Sequence, residues 1–233
     1  MKILGIIPAR GGSKGVPKKN SKLLHNKPLI QYTYEAAINS TLLSKIIVST
    51  DDESIISIAH SIGLEVPFVR PKELASDEAS SIDVVLHAVE FFEKQNIFFD
   101  AICLLQPTSP FREDQFIDKC IQEFINKKTD CLISVQQVPH EYNPHWTFLE
   151  DKNGALKIAT GEKEIIKRRQ DLPNAYFRDG SVYITKINVI KEKKSFYGDS
   201  ISYVESNPDY FCNIDTLKDW EIAENKISQL RIQ

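Results

Sequence analysis

The chain is poor in cysteine, has no long apolar run, shows no metal-type spacing of cysteine or histidine, and carries no acidic residue before Glu35. Each absence excludes something. Cys103, Cys120, Cys131 and Cys212 lie far apart with no C-x-x-C pair, which leaves buried free thiols and argues against a zinc site or a disulfide frame. His25, His60, His87, His140 and His145 also lack ligand spacing. No stretch is apolar for long enough to span a bilayer. Ile3 to Ile7 is too short for a signal-peptide core and runs into a glycine turn, so a cytoplasmic protein is expected, with no membrane partner. A formal net charge of -3 and a pI near 6.0 argue against a nucleic-acid partner, which needs an extended basic surface.

What is present stands out against that background. Seven basic side chains, Lys2, Arg10, Lys14, Lys18, Lys19, Lys22 and Lys27, precede the first acid. Among them lies Ala9-Arg10-Gly11-Gly12-Ser13-Lys14-Gly15, a glycine-rich turn directly after an apolar run. Residues without Cβ let backbone N–H groups converge on a phosphate, and Lys and Arg supply the charge. The turn matches neither the P-loop nor the G-x-G-x-x-G dinucleotide pattern, which leaves little support for an NAD-dependent dehydrogenase. The bland alternative is a tight turn with a solvated lysine-rich face.

Short apolar runs alternate with amphipathic stretches, the pattern of βαβ units around a mainly parallel sheet. The expected strands are Ile3 to Ile7, Ile46 to Thr50, Val66 to Val69, Ala101 to Leu105, Cys131 to Val135, Ser181 to Thr185 and Ile201 to Val204. Helices are expected from Pro28 as first helical residue through Ile38, from Asp52 to near Gly63, after a cap at Ser80 or Ser81, from about Glu113 to Asn126, and from about Leu217. Gln106-Pro107-Thr108-Ser109-Pro110 ends a strand where two prolines stop the ladder, at the sheet edge where α/β proteins bind ligands. After Pro139 the alternation stops, and the turn-rich segment 139–178 reads as an insertion into a single domain of 233 residues.

Taken together, Ala9 to Gly15 with Pro17 and Lys19-Asn20, Ser49-Thr50-Asp51, Arg70-Pro71 with Glu73 to Asp77, Ala79-Ser80-Ser81, Leu105 to Pro110, Arg169-Gln170 with Leu172-Pro173, and Ile214-Asp215-Thr216 resemble the acylneuraminate cytidylyltransferase (CMP-sialic acid synthetase) family, in that family's order. The resemblance spans nearly the whole chain and extends to relatives that activate legionaminic or pseudaminic acid. It implies a Rossmann-like nucleotidyltransferase fold and attack by the anomeric hydroxyl of a nonulosonic acid on the α-phosphorus of CTP, with Mg²⁺ as cofactor. A nucleotidyltransferase for another acid sugar or sugar phosphate, or a nucleotide-binding protein without turnover, are the alternatives.

The resemblance also implies roles. Arg10, Ser13 and Lys19 would hold the triphosphate, with Lys14 as an additional ligand. Asn20 and Ser81 would hold ribose, and Arg70 with the backbone near Ala79 the cytosine; otherwise Arg70 is a surface partner of Glu73. Arg10, Lys19 and Asp215 would be catalytic. Asp215 would carry the metal with Asn213 in support, where many members have Asp-x-Asp; otherwise Asp215 caps the last helix. Gln106, Arg169 and Tyr183 would form the acceptor site, with Arg169 suited to a carboxylate and Phe196 and Tyr197 as walls. Trp146 falls where sialic-acid enzymes of the family can place a Lys. The insertion would form a homodimer and reach toward the partner's active site.

Overall fold

A computed structural model describes residues 1–230. In chain order the elements are β1 (Ile3–Pro8), β2 (Leu23–Leu24), β3 (Lys27–Pro28), α1 (Leu29–Ile38), β4 (Lys45–Ser49), α2 (Glu53–Ile62), α3 (Ser81–Glu93), β5 (Ala101–Leu104), α4 (Phe116–Lys127), β6 (Cys131–Gln137), β7 (Phe148–Glu150), β8 (Leu156–Ile158), β9 (Tyr176–Lys186), α5 (Ile187–Lys193), β10 (Ile201–Glu205) and α6 (Leu217–Leu230). Six strands form one mixed sheet in the order β10-β6-β9-β5-β1-β4. β1 pairs in parallel with β4 and β5, and β10 in parallel with β6. β9 runs antiparallel between β5 and β6.

The period-two alternation of β1 divides the core. Ile3 and Ile7 face one side with Ile30, Ile55, Ala59 and Phe124, under α1, α2 and α4. Leu4 and Ile6 face the other, with Val85, Val89, Phe92 and Ile190 of α3 and α5. A third cluster joins Val16 of the glycine turn to Leu24, Leu29, Ile214 and Trp220. That cluster seats the turn on the last helix, and burial of Val16 and Ile214 each stabilises it by about 1.5–3 kcal/mol.

Several expectations are corrected. Val66 to Val69 makes no strand; only isolated bridges, Ile47 with Glu65 and Thr50 with Val69, tie it to the sheet edge. Pro28 flanks α1 from β3 and is not its first helical residue. Ser80 caps α3, accepting from the Asp83 N–H at 3.2 Å, so Ser81 is the first helical residue. The segment 139–178 holds the β7-β8 hairpin, but its last three residues belong to β9 and pair with β6 through Gln137↔Tyr176 and Val135↔Arg178. The hairpin β2-β3 and the helix α5 were not anticipated. All four cysteines are free and buried.

Asp118 at the start of α4 ties this helix to the turn after α1. Its carboxylate accepts from the hydroxyls of Ser40 and Thr41 and from the Thr41 N–H at 2.9 Å. Burial opposes ionisation, but these donors together hold its pKa below the usual value of 3.8. A depressed carboxylate stabilises the fold above pH 3.8, and that contribution is lost as pH falls through the lowered value. Asp118→Ala is expected to cost about 1–3 kcal/mol at neutral pH, and the difference from the parent should shrink in urea titrations run progressively below pH 4.

Candidate active site

The carboxyl ends of β1 and β5 open into one cavity of about 630 Å³. Arg10, Gly12, Ser13, Lys19 and Asn20 line it from the turn after β1. Arg70, Ser76, Asp77 and Ala79 come from the connection before α3, and Ser81 from its first turn. Gln106, Pro107 and Thr108 follow β5, Phe177 to Gly180 and Tyr183 belong to β9, and Asn213 and Asp215 precede α6. Position follows from topology: parallel strands bring their exits to one edge, where backbone groups have left the ladder.

The turn is held by its backbone. Asn20 Nδ2 donates to the Arg10 carbonyl at 3.0 Å, and the Gly11 N–H donates to Asp51 Oδ1 at 3.0 Å. Gly15 presses against the segment before α6 so closely that a Cβ there would lie 1.9 Å from the Asp215 carbonyl oxygen. Lys19 completes the join, donating to the Ile214 carbonyl at 2.7 Å with Nζ 3.4 Å from Asp215 Oδ1. Residues about 200 positions apart in sequence are thereby one unit.

Arg10 donates to the Ser76 carbonyl and pairs with Asp77, each at 2.7 Å. Lys14 lies outside the cavity lining but reaches the same Asp77 at 2.7 Å. The two cations hold the Asp77 carboxyl below its usual range, chiefly through the hydrogen bond from Lys14. Arg70 is no surface partner of Glu73: it is 4% exposed, its Nε donates to Ser49 Oγ at 3.0 Å, and Nη2 donates to the Ser49 carbonyl. Burial lowers its pKa to about 10, while Asp51 nearby favours its charge, so the guanidinium stays cationic at neutral pH.

Asp215 does not cap α6. Thr216 and Asp219 form a reciprocal capping pair, with the Asp219 N–H donating to Thr216 Oγ1 at 3.3 Å and Asp219 Oδ2 accepting from the Thr216 N–H at 2.7 Å. The Asp215 carboxylate is left exposed, accepting from Asn213 Nδ2 at 2.6 Å. Among the described residues no three His, Cys, Asp or Glu cluster as a closed metal site. One exposed carboxylate beside an amide that can turn its oxygen outward is a donor set that suits Mg²⁺ shared with phosphates and water.

The acceptor residues divide. Gln106 and Tyr183 line the cavity. Phe196 sits behind Tyr183, ring centroids 6.1 Å apart, and does not line it. Tyr197 also lies outside the lining, its backbone N–H donating to Ser195 Oγ at 3.0 Å. Arg169 lies elsewhere, in a groove with Gln137, His140 and Asn143 at the root of the insertion, because the chain from 143 to 173 folds away from the strand ends. Trp146 is tied within the insertion by Nε1–H to the Ile166 carbonyl at 2.6 Å. Sequence reasoning missed Asp77 and Arg178 as lining residues. Asp77 was visible as an acid facing a basic turn, whereas Arg178 carried no signal, standing at the assigned edge of the insertion.

The cytidylyltransferase family model matches residues 4–230. The chain is 35% identical over 224 residues to the pseudaminic acid cytidylyltransferase of Campylobacter jejuni, covering 96% of this chain and 95% of that protein. It is 37% identical over 226 residues to the CMP-N,N'-diacetyllegionaminic acid synthase of Legionella pneumophila, with the same coverage. It is 33% identical to the N-acylneuraminate cytidylyltransferase of Escherichia coli, over 95% of this chain and 51% of that longer protein. A solved CMP:2-keto-3-deoxy-manno-octonic acid synthetase complexed with CTP shares the fold at a TM-score of 0.73 and 16% identity, covering 99% of this chain and 100% of the other. The expected α/β nucleotidyltransferase architecture is therefore present, and with a family match over almost its entire length, this chain belongs to the cytidylyltransferase family.

Proposed function

We propose that the chain transfers CMP from CTP to the anomeric hydroxyl of a nonulosonic acid, releasing pyrophosphate. The observation that carries the reading is convergence: Arg10, Ser13, Lys19, Asn20, Arg70, Ala79 and Ser81, spread along the first third of the chain, line one cavity with Asp215. Arg10, Ser13 and Lys19 bind the triphosphate, with Lys14 adding positive field from outside. Asn20 and Ser81 take ribose, and Arg70 with the backbone at Ala79 frames the base. Gln106 and Tyr183 face the acceptor.

Phosphoryl transfer needs placement and charge neutralisation more than covalent chemistry. The acceptor oxygen bonds to the α-phosphorus as the α–β bridging bond breaks, pyrophosphate carries away the electron pair, and the hydroxyl proton passes to water. Asp215 and Asn213 would hold magnesium, which when bound neutralises charge on the phosphates. Lys19 spans both ends of the arrangement and restrains the developing charge at one fixed place.

Before nucleotide binds, Arg10 and Lys14 share Asp77, an anion that competes with the triphosphate. Asp77→Asn is expected to tighten CTP binding about two- to five-fold at low salt, because exposed pairs are weak and screened. Calorimetric titration should show the gain fading as salt rises.

The second part of the proposal is a homodimer through the insertion, where Tyr142, Phe148, Leu149 and Leu156 are exposed. Arg169, outside its own chain's cavity, would then serve the cavity of a second copy. Light scattering that finds a monomer at micromolar concentration sinks this part. The activity itself is tested by incubating the chain with CTP, Mg²⁺ and individual nonulosonic acids and identifying any CMP-sugar by mass, with UTP, GTP and ATP as competitors. CTP bound without pyrophosphate release from any acid refutes it.

A further inference from the structure

Four cations line the cavity, and three have partners that account for their charge or position. Arg10 pairs with Asp77, Lys19 with Asp215, and Arg70 is buried against Ser49. Arg178 differs. Among the described residues no carboxylate lies within ion-pair distance of it, and it lines the cavity beside Gln106 and Tyr183. Burial pushes the Tyr183 hydroxyl pKa up, so that phenol is neutral at physiological pH and leaves the positive charge uncompensated.

The backbone explains why Arg178 points where it does. β9 pairs Tyr183 with Leu104 at the end of β5, so the residues before Tyr183 run past the β5 exit. The register shifts there, between Ile133 and Val135 of β6, and Gly180 takes a left-handed conformation with φ +81°. A side chain at 180 would be strained whatever its size, and its Cβ would lie 3.0 Å from Ser109 Oγ and 3.5 Å from Gln106 Oε1. Asp179 is the anchor: it is buried, accepting from the hydroxyls of Ser134 and Ser206 and from the Ser181 N–H at 2.9 Å. Arg178 and Asp179 both line the cavity, and with Asp179 held by these bonds Arg178 is the one cationic side chain that β9 presents there. β9 stands two strands from β1, roughly 10 Å across the sheet at ordinary strand spacing.

We propose that Arg178 is the receptor for the carboxylate of the acceptor. This rests on the functional reading above. In a 2-keto sugar acid the carboxylate and the anomeric hydroxyl share one carbon. A guanidinium fork that takes both carboxylate oxygens therefore also aims the attacking oxygen, with Gln106 beside it to meet a neighbouring hydroxyl. Sequence reasoning gave this task to Arg169, which lines a different groove of this chain.

The test compares Arg178→Gln, Arg178→Lys and Arg169→Gln, using a nonulosonic acid from which the parent forms CMP-sugar. Arg178→Gln is expected to raise the acceptor KM roughly tenfold or more, as loss of a charge-assisted hydrogen bond does, with the calorimetric Kd for CTP unchanged. Arg178→Lys should recover part of the loss, and Arg169→Gln should move the same KM less than Arg178→Gln does. A smaller rise in both Arg178 variants, or an equal loss of CTP affinity, overturns the assignment alone. No product from the parent with any such acid overturns the functional reading and this assignment together.

Discussion

Asp215→Ala is expected to lower turnover about 10²–10³-fold at saturating CTP, the scale on which removal of one charge-stabilising group acts in water-excluded sites. Its carboxylate caps no helix, since Thr216 and Asp219 do that for α6. It projects beside Lys19 and Asn213 at the mouth of the cavity. The variant should therefore melt within a degree or two of the parent. Asp219→Ala should show the opposite pattern, losing about 1 kcal/mol of stability with the cap while turnover falls far less. Pyrophosphate release followed across a magnesium titration, beside thermal melts of both variants, separates the two. Near-native turnover of Asp215→Ala at every magnesium concentration would falsify the assignment of the ion to this carboxylate.

Gly15→Ala should be nearly as damaging without touching any charged group. A Cβ at 15 would stand 1.9 Å from the Asp215 carbonyl oxygen and 3.1 Å from the carbon behind it. Both are backbone atoms and neither can swing aside, so the turn or the segment before α6 must move. Either movement separates Lys19 from Ile214 and shifts Ser13 and Arg10 from where the proposed function has them bind the triphosphate. A displacement on the order of 1 Å costs about 100-fold in kcat/KM. Val16 and Ile214 belong to the same apolar cluster, so some stability is lost too. CTP affinity by calorimetry is the decisive measurement, and binding as tight as the parent's would show that the turn does not need this contact.

Much of the site could be read directly from residue order. The glycine turn, its basic companions and the proline-stopped loop after β5 are local signals, each set by dihedral freedom or a missing N–H within a few residues. Helix α2 shows the same: Asp52 caps it by accepting from the Ser54 and Ile55 N–H groups, and it ends at Gly63. Val66 to Val69 failed as a strand because apolar character does not say whether an edge has room for a full ladder; the segment makes one bridge, at Val69, with another just before it at Glu65. Arg169 and Arg178 are nine positions apart, and composition treats them alike. Only pairing of β9 with a strand 40 residues earlier places one in the cavity and the other in a separate groove.

Sequence alone determined the α/β class and pointed to the glycine turn and to Asp215, because these depend on short-range stereochemistry and on motifs whose order is itself informative. Tertiary structure decided the rest: that β9 enters the sheet antiparallel, that Asp77 occupies Arg10 and Lys14, that Arg70 is buried, and that Arg178 lines the cavity. The physical reason is that strand register and ion pairing join residues tens of positions apart. Such contacts are chosen by which whole packing loses the least free energy, a comparison that no local stretch of chain contains.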